Sequence, residues 1–331
     1  MKWYALLPIL LLTSCNKLFD THPYSVHFHG ERGINAKQIA IIEQTFQGKD
    51  TVRVAFISDT HGWYSDAKDE ISSLNQREDI DFVVHCGDLT DTGTSKEYEW
   101  ARDILSRLRY PYVALIGNHD FLGTGDEAYS VMFGDMNFSF IVSRIKFICL
   151  NTNATEYDFM ASVPDFNFIE EAMSQRTEDF DRSVVIMHAP PYSDQFNNNV
   201  SNPFGLYLKY IPGLMCCVYG HDHVNSTNDI YDNGILFYGI DCASHRNYCI
   251  MTITPNGYEM EQVHYKPIVA HADTPPCHSR QHLCGAGKGE PVRQAGTPIP
   301  QALGSPHPHT ICRPECRQHG MALGRFRLGL R

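Results

Sequence analysis

At 331 residues with 43% hydrophobic side chains, the chain has room for one large domain or two small ones and enough apolar material for a globular core. Its formal net charge of −11 argues against a general nucleic-acid-binding surface, because phosphate backbones call for basic patches. A monomer is expected, and any nucleotide it handles must be gripped by something other than lysines.

In chain order, Lys2 precedes an apolar run, Trp3 to Leu12, that is too short to span a membrane. The run ends in Leu12-Thr13-Ser14-Cys15, which resembles the signal peptide and lipobox of a bacterial lipoprotein. That resemblance implies a signal over residues 1–14 and a mature protein starting at Cys15, held on a membrane of the cell envelope by its acyl chains, either periplasmic or surface-exposed. An ordinary secretory signal cleaved near Ser14 is the alternative, and both place the protein outside the cytoplasm. Residues 15–34 are polar and turn-rich and read as a tether, with a short lead-in strand at Tyr24 to His29. His22, His27 and His29 are taken as plain linker residues, since a short histidine tract is weakly diagnostic of metal.

From Ala36 to Phe46, the apolar Ile39, Ile42 and Phe46 recur at helical spacing and predict a helix. A strand at Val52 to Ile57 runs into Asp59-Thr60-His61, and a helix is expected at Asp66 to Gln76. A second strand, Phe82 to Cys86, runs into Gly87-Asp88-Leu89-Thr90-Asp91, followed by a helix at Ser95 to Leu108 capped by Thr94 or Ser95. Tyr112 to Ile116 runs into Gly117-Asn118-His119-Asp120, and Val184 to Met187 into His188-Ala189-Pro190-Pro191. A long loop, Tyr192 to Pro212, is expected to cover one side of a pocket. Its Tyr192, Phe196 and Phe204 could stack on a substrate or simply pack, and Trp63 and Phe121 take the same divided reading. Leu214 to Tyr219 runs into Gly220-His221-Asp222-His223, and Ile235 to Ile240 and Asn247 to Tyr265 close the domain as a meander turned at Pro255-Asn256-Gly257. Strands alternating with helices give an α/β class.

The polar blocks share one property: each follows a β-prone apolar run. Open α/β sheets build their sites beyond the carboxyl ends of their strands, so blocks far apart in sequence can converge. Residues two apart on an extended segment face the same side, so Asp59 with His61, and His221 with His223, could each aim two groups inward. Taken singly, each block is an ordinary turn. Together they offer carboxylates, an amide oxygen and imidazoles without a thiolate, a donor set that suits a pair of manganese, iron or zinc ions.

With these five blocks in this order, the chain resembles the calcineurin-like metallophosphoesterases over roughly Thr51 to Asp241. The resemblance implies two packed β-sheets flanked by helices, a four-layer α/β/β/α sandwich over residues 35–266. It implies that Asp59, His61, Asp88 and His223 hold one metal and that Asp88, Asn118, His188 and His221 hold the other, with Asp88 bridging. It gives His119 the place facing the scissile ester, with Asp91 or Asp120 to orient it, and makes Asp222 and Asp241 candidate outer partners of the imidazoles. The implied activity is hydrolysis of a phosphodiester or phosphomonoester by a metal-held hydroxide, with His119 protonating the departing alkoxide. Thr92 stands where protein serine/threonine phosphatases carry a phosphate-gripping arginine, and His61 and Asp91 disfavour a purple, tyrosinate-ligated site. A cell-surface binding lipoprotein that keeps fold and metals without turnover is the competing reading.

Cys86, Cys149, Cys216, Cys217, Cys242 and Cys249 lie mostly in apolar strand contexts and are expected to be buried, unreactive thiols, with Cys216 and Cys217 on opposite faces of their strand. Near Pro267 the composition changes: residues 267–331 contain no Asn, Tyr or Trp, and eight Lys or Arg face three Asp or Glu. Such a segment is expected to be disordered. The loss of residue types abundant upstream also suggests a change of reading frame or a spurious fusion, and a zinc-binding element using Cys277, Cys284, Cys312, Cys316 and nearby histidines is the functional alternative.

Overall fold

A computed structural model describes residues 24–157, 162–174 and 179–267, all within one compact unit. The segment expected to be a signal peptide (residues 1–14), the first part of the expected tether and nearly all of the tail expected to be disordered fall outside the described residues.

Among the described residues the α-helices are α1 (Ile34–Thr45), α2 (Tyr64–Asn75), α3 (Ser95–Leu105), α4 (Gly125–Met132), α5 (Phe166–Ser174) and α6 (Ser201–Tyr210). The first sheet contains β1 (Val52–Ile57), β2 (Phe82–His85), β3 (Tyr112–Ala114), β10 (Asn247–Thr254) and β11 (Gly257–His264), in the order β11-β10-β1-β2-β3. The second contains β4 (Phe138–Val142), β5 (Ile145–Leu150), β6 (Arg182–Met187), β7 (Leu214–Tyr219), β8 (Ser226–Asn228) and β9 (Leu236–Gly239), in the order β4-β5-β6-β7-β9-β8. Strands β1, β2 and β3 are parallel, as are β5, β6, β7 and β9; antiparallel β10 and β11 close one side of the first sheet, and antiparallel β4 and β8 form the two edges of the second.

Alternation along the strands divides the apolar residues into three layers. Val54 and Phe56 of β1, Val84 of β2, Phe147 of β5, Val184 and Ile186 of β6 and Cys216 of β7 meet between the sheets. Ala55 and Ile57 of β1 face the other way, onto Ile71 of α2 and Ile104 of α3. Val185 and Met187 of β6 and Cys217 of β7 turn toward Ile169 of α5 and Phe204 and Leu208 of α6. The result is the expected four-layer α/β/β/α sandwich. It also puts the adjacent Cys216 and Cys217 in different layers, and all six strand-region thiols are buried and free.

Local chemistry fixes the helix starts and the sheet edge. Thr94 accepts from the Glu97 N–H while the Glu97 carboxylate reaches back to the Thr94 N–H, a reciprocal capping box that opens α3. At the outer edge of β3, the amide of Asn35 from α1 stands in for a neighbouring strand, accepting from Ala114 N–H at 3.0 Å and donating to Ala114 C=O at 2.9 Å.

Two expectations are corrected. Residues Tyr24 to His29 form no strand; they lie across α3 and α4, with Phe28 buried edge-on against Tyr98 at 6.4 Å and Thr124 Oγ1 donating to Tyr24 C=O at 2.6 Å. The stretch Tyr192 to Pro212 is no structureless loop, because Ser201–Tyr210 is α6, with Phe204 and Leu208 buried one turn apart. Pro203 is tolerated there because it sits in the first helical turn, where N–H groups have no intrahelical partner. Phe196 and Phe204 are therefore packing residues, while Tyr192 stays exposed.

On α2, Glu70 is buried with its Oε1 unpartnered. Burial, then the charges of Asp66 and Asp241, holds its carboxyl well above the ordinary value of 4.5. The folded protein thus holds this proton more tightly than the unfolded one. The associated stability is complete below about pH 4.5 and is lost as pH rises from there toward the folded pKa. Glu70→Met should raise stability at neutral pH and flatten that decline, as read by urea denaturation across the acid-to-neutral range. A variant less stable than the parent at neutral pH would contradict this account.

Candidate metal centre

The five blocks leave the carboxyl ends of β1, β2, β3, β6 and β7, and the loops cross at one end of the sandwich. Backbone bonds stitch the first two together, Asp59 N–H to Gly87 C=O at 3.0 Å and His61 N–H to Asp88 C=O at 3.1 Å. A Cβ on Gly117 would collide with the Asp88 carboxylate, and one on Gly220 with Ser58 and Asp59, so the loops approach as closely as they do only with glycine there. The expectation of extended segments is corrected. Asp59, His61, Asp88, His221 and His223 all have positive φ, between 42° and 71°, so left-handed turns rather than strand alternation bring these side chains together.

Asp59, His61 and His223 form one group. The Nε2 atoms of His61 and His223 face each other at 3.1 Å, and Asp59 Oδ1 lies 3.2 Å from His223 Nε2 and 3.7 Å from His61 Nε2. Asn118, His188 and His221 form the other. Asn118 Oδ1 is 3.0 Å from His188 Nε2 and 3.1 Å from His221 Nδ1. Between them stands Asp88, whose Oδ2 is 3.3 Å from His61 Nε2 and 3.3 Å from His188 Nε2 while its Oδ1 accepts from His119 N–H at 2.9 Å.

The donor set fits metal ions. Asp59 Oδ1 is buried without a hydrogen bond, the position of an oxygen aimed at a cation. His188 Nδ1 must donate to Cys86 C=O at 2.9 Å, so its Nε2 presents a lone pair toward Asp88 and Asn118 oxygens unless a proton or a metal lies between. With no metal, protons take that role: burial pulls the His188 pKa down, yet the charges of Asp88 and Asp59 carry it up to about 9. Burial likewise opposes the Asp59 charge, but the His223 and His61 imidazoles hold its pKa well below the ordinary value.

His119 is partly exposed beside this cluster, its ring edge-on to His61 at 4.4 Å. Its Nδ1 donates to the backbone carbonyl of Asp91 at 2.9 Å, whereas the Asp91 carboxylate is 3.9 Å away. Asp91 thus orients His119 chiefly through its backbone, and among the described residues Nε2 has no hydrogen-bond partner. Asp120 does something else. Its buried carboxylate accepts from the N–H groups of Leu89, Thr90 and Gly117 and from Thr90 Oγ1, tying the β2 loop to the β3 loop. Burial and the nearby Asp88 charge raise its pKa to about 6.

Asp222 is exposed, and Asp241 is taken up by Cys242 N–H, His245 and Asn247, so neither serves as the outer partner of a site imidazole. That role falls to a residue the sequence reading missed: Asp194 Oδ1 accepts from His221 Nε2 at 2.9 Å. His85, also unremarked in the sequence, is buried under the site with Nε2 2.9 Å from Thr60 Oγ1.

The model of the calcineurin-like phosphoesterase family matches residues 52–225, just over half of the chain. The chain belongs to that family. Among curated relatives, a glycerophosphodiester phosphodiesterase of Enterobacter lignolyticus is 40% identical over 80 residues, 20% of this chain and 29% of its own length. A 3',5'-cyclic-nucleotide phosphodiesterase of Nostoc is 24% identical over 156 residues, 44% of this chain and 57% of its own. The chain thus spans less than two thirds of the length of these relatives. Among solved structures, a dimetal phosphatase from Danio rerio matches with TM-score 0.50 at 12% identity, covering 65% of this chain and 99% of that one. A purple acid phosphatase from yellow lupin matches with TM-score 0.50 at 18% identity, covering 66% of this chain and 52% of that one. At such identities these two show the shared fold alone.

Asp194→Asn should weaken metal binding roughly tenfold or more, the range seen when an outer carboxylate is removed from a ligating histidine. Calorimetric titration with manganese or zinc measures it. An unchanged affinity would mean that the Asp194 contact does not support His221 as a ligand.

Proposed function

We propose that this chain is a dinuclear-metal phosphodiesterase acting outside the cytoplasm. The observation that carries the reading is the placement of Asp88 Oδ2, equidistant from an imidazole of each group. Asp59, His61, Asp88 and His223 would hold one ion, and Asp88, Asn118, His188 and His221 the other. When bound, such a pair neutralises charge on phosphoryl oxygens and lowers the pKa of water to about 7.

The remaining chemistry belongs to the protein. His119 is braced through Nδ1 by the Asp91 carbonyl and presents Nε2, the nitrogen from which a proton can pass to a departing alkoxide. Among the described residues, the hydrogen-bond and ion-pair partners of the site residues are Asp, His and Asn side chains and backbone groups, with no Lys or Arg. A monoester dianion calls for an additional cationic clamp on its terminal oxygens, whereas a diester carries a single charge. The reading therefore favours diesters. The phosphodiesterase names of the two relatives agree with it. Export rests on the apolar run and Cys15 at the start of the sequence.

The test is turnover of bis(p-nitrophenyl) phosphate and p-nitrophenyl phosphate, and of an alkyl diester such as glycerophosphoethanolamine, with manganese, zinc or iron supplied. The diesters should be preferred, and Asp88→Ala should abolish turnover. His119→Ala should lower kcat about 10²–10⁴-fold on the alkyl diester, the usual worth of a general acid, and much less on the nitrophenyl ester, whose leaving group needs no proton. Two bound metals with no hydrolysis of any ester would instead support a binding role.

A further inference from the structure

Trp63 lies two residues beyond His61, and the mechanism above makes no use of it. Its backbone is fixed at both ends: Trp63 N–H donates to Thr60 C=O at 2.9 Å, and Trp63 C=O accepts from Ala67 N–H at 2.9 Å as α2 begins. The indole stands edge-on to two site imidazoles at once, 5.5 Å from His61 and 5.7 Å from His223, with interplanar angles of 81° and 76°. Despite these contacts it remains 37% exposed. Among the described residues its indole N–H has no hydrogen-bond partner and is left for solvent or a ligand.

We propose that Trp63 is the wall that receives a flat heteroaromatic group of the substrate, so that the favoured substrates are phosphodiesters carrying a nucleobase or a comparable ring. This rests on the phosphodiesterase reading and names its substrate class. A ring laid on the exposed part of the indole gains stacking that tolerates many ring types. The free N–H adds a donor for a ring nitrogen or carbonyl oxygen. A quaternary-ammonium headgroup fits less well: a single aromatic wall is no cage, an ammonium offers the indole N–H no acceptor, and the cation would sit beside two metal ions. The imidazoles of His61 and His223 back the indole, so it can take this load without a change of rotamer.

Trp63→Ala and Trp63→Phe test the assignment in the full protein, with bis(p-nitrophenyl) phosphate for turnover and with adenosine 5'-monophosphate and glycerol 3-phosphate as calorimetric probes. Trp63→Ala should raise KM for the aryl diester and weaken adenosine monophosphate binding by about tenfold, in line with the loss of one base–aromatic stack. Glycerol 3-phosphate affinity and bound metal should be unchanged, and Trp63→Phe should restore most of the loss. Equal weakening of both phosphates, or a fall in kcat at unchanged KM, would overturn the proposal and make Trp63 a buttress for the histidines. Unchanged KM and affinity would overturn it as well. Trp63-dependent binding of adenosine monophosphate by a protein that hydrolyses no diester would sink the phosphodiesterase reading while leaving the aromatic subsite standing.

Discussion

Asp88 is shared. Its Oδ2 faces an imidazole from the first sheet's β1 exit and one from the second sheet's β6 exit, each at 3.3 Å, and its Oδ1 takes the N–H of His119. One buried carboxylate therefore registers the two sheets against each other and positions the His119 loop. Asp59, Asp88 and Asp120 are all essentially inaccessible, and so much negative charge in one buried corner is unfavourable unless cations answer it. Four converging imidazoles answer it in part, as the raised His188 pKa records. The geometry is that of a site completed by metal.

The ligand geometry in turn depends on strain that the sandwich must hold. Five candidate ligands have left-handed backbone, a conformation costing non-glycine residues of order 1–3 kcal/mol each. The compensation is distributed: the cross-loop backbone bonds at Asp59 and His61, the four hydrogen bonds collected by Asp120, and strands such as β6 that are buried on both faces. Asp120 is thus part of the frame, although it sits next to His119 in sequence.

How much of this was legible follows from where the information lies. Strands β1 and β7 have the bounds their apolar, β-branched runs predict, and the ends of those runs located the polar blocks. The β4–β5 hairpin went unread because its turn is Ser143-Arg144, both at positive φ without the Gly or Asn that normally advertises such a turn. Lys146 deepened the omission, since it interrupts the apolar run of β5 and yet is buried, donating to Ala172 C=O over the ring of Phe180. Strand β8, Ser226-Thr227-Asn228, has no apolar pattern to read. Asp194 was invisible for a different reason: its contact with His221 spans 27 positions and exists only after β6, α6 and β7 have packed. The positive φ values were equally hidden, because Asp and His, although enriched in the left-handed region, adopt it at only a small minority of their positions.

Exposure separates the site into two functions. The carboxylates and His188 sit at the floor, where solvent is excluded and electrostatic effects are strong, and these positions tolerate little change. His119, Asp194 and Trp63 stand nearer to solvent, each on a loop that leaves the floor within a few residues. Solved structures with this fold share only 12% and 18% identity with the chain, so the scaffold survives very different sequences. Binding specificity is most readily altered on loops held by such a scaffold. A residue such as Trp63 can be exchanged without disturbing Asp88, because the indole leans on the imidazoles from outside and supplies none of the bonds that hold the floor.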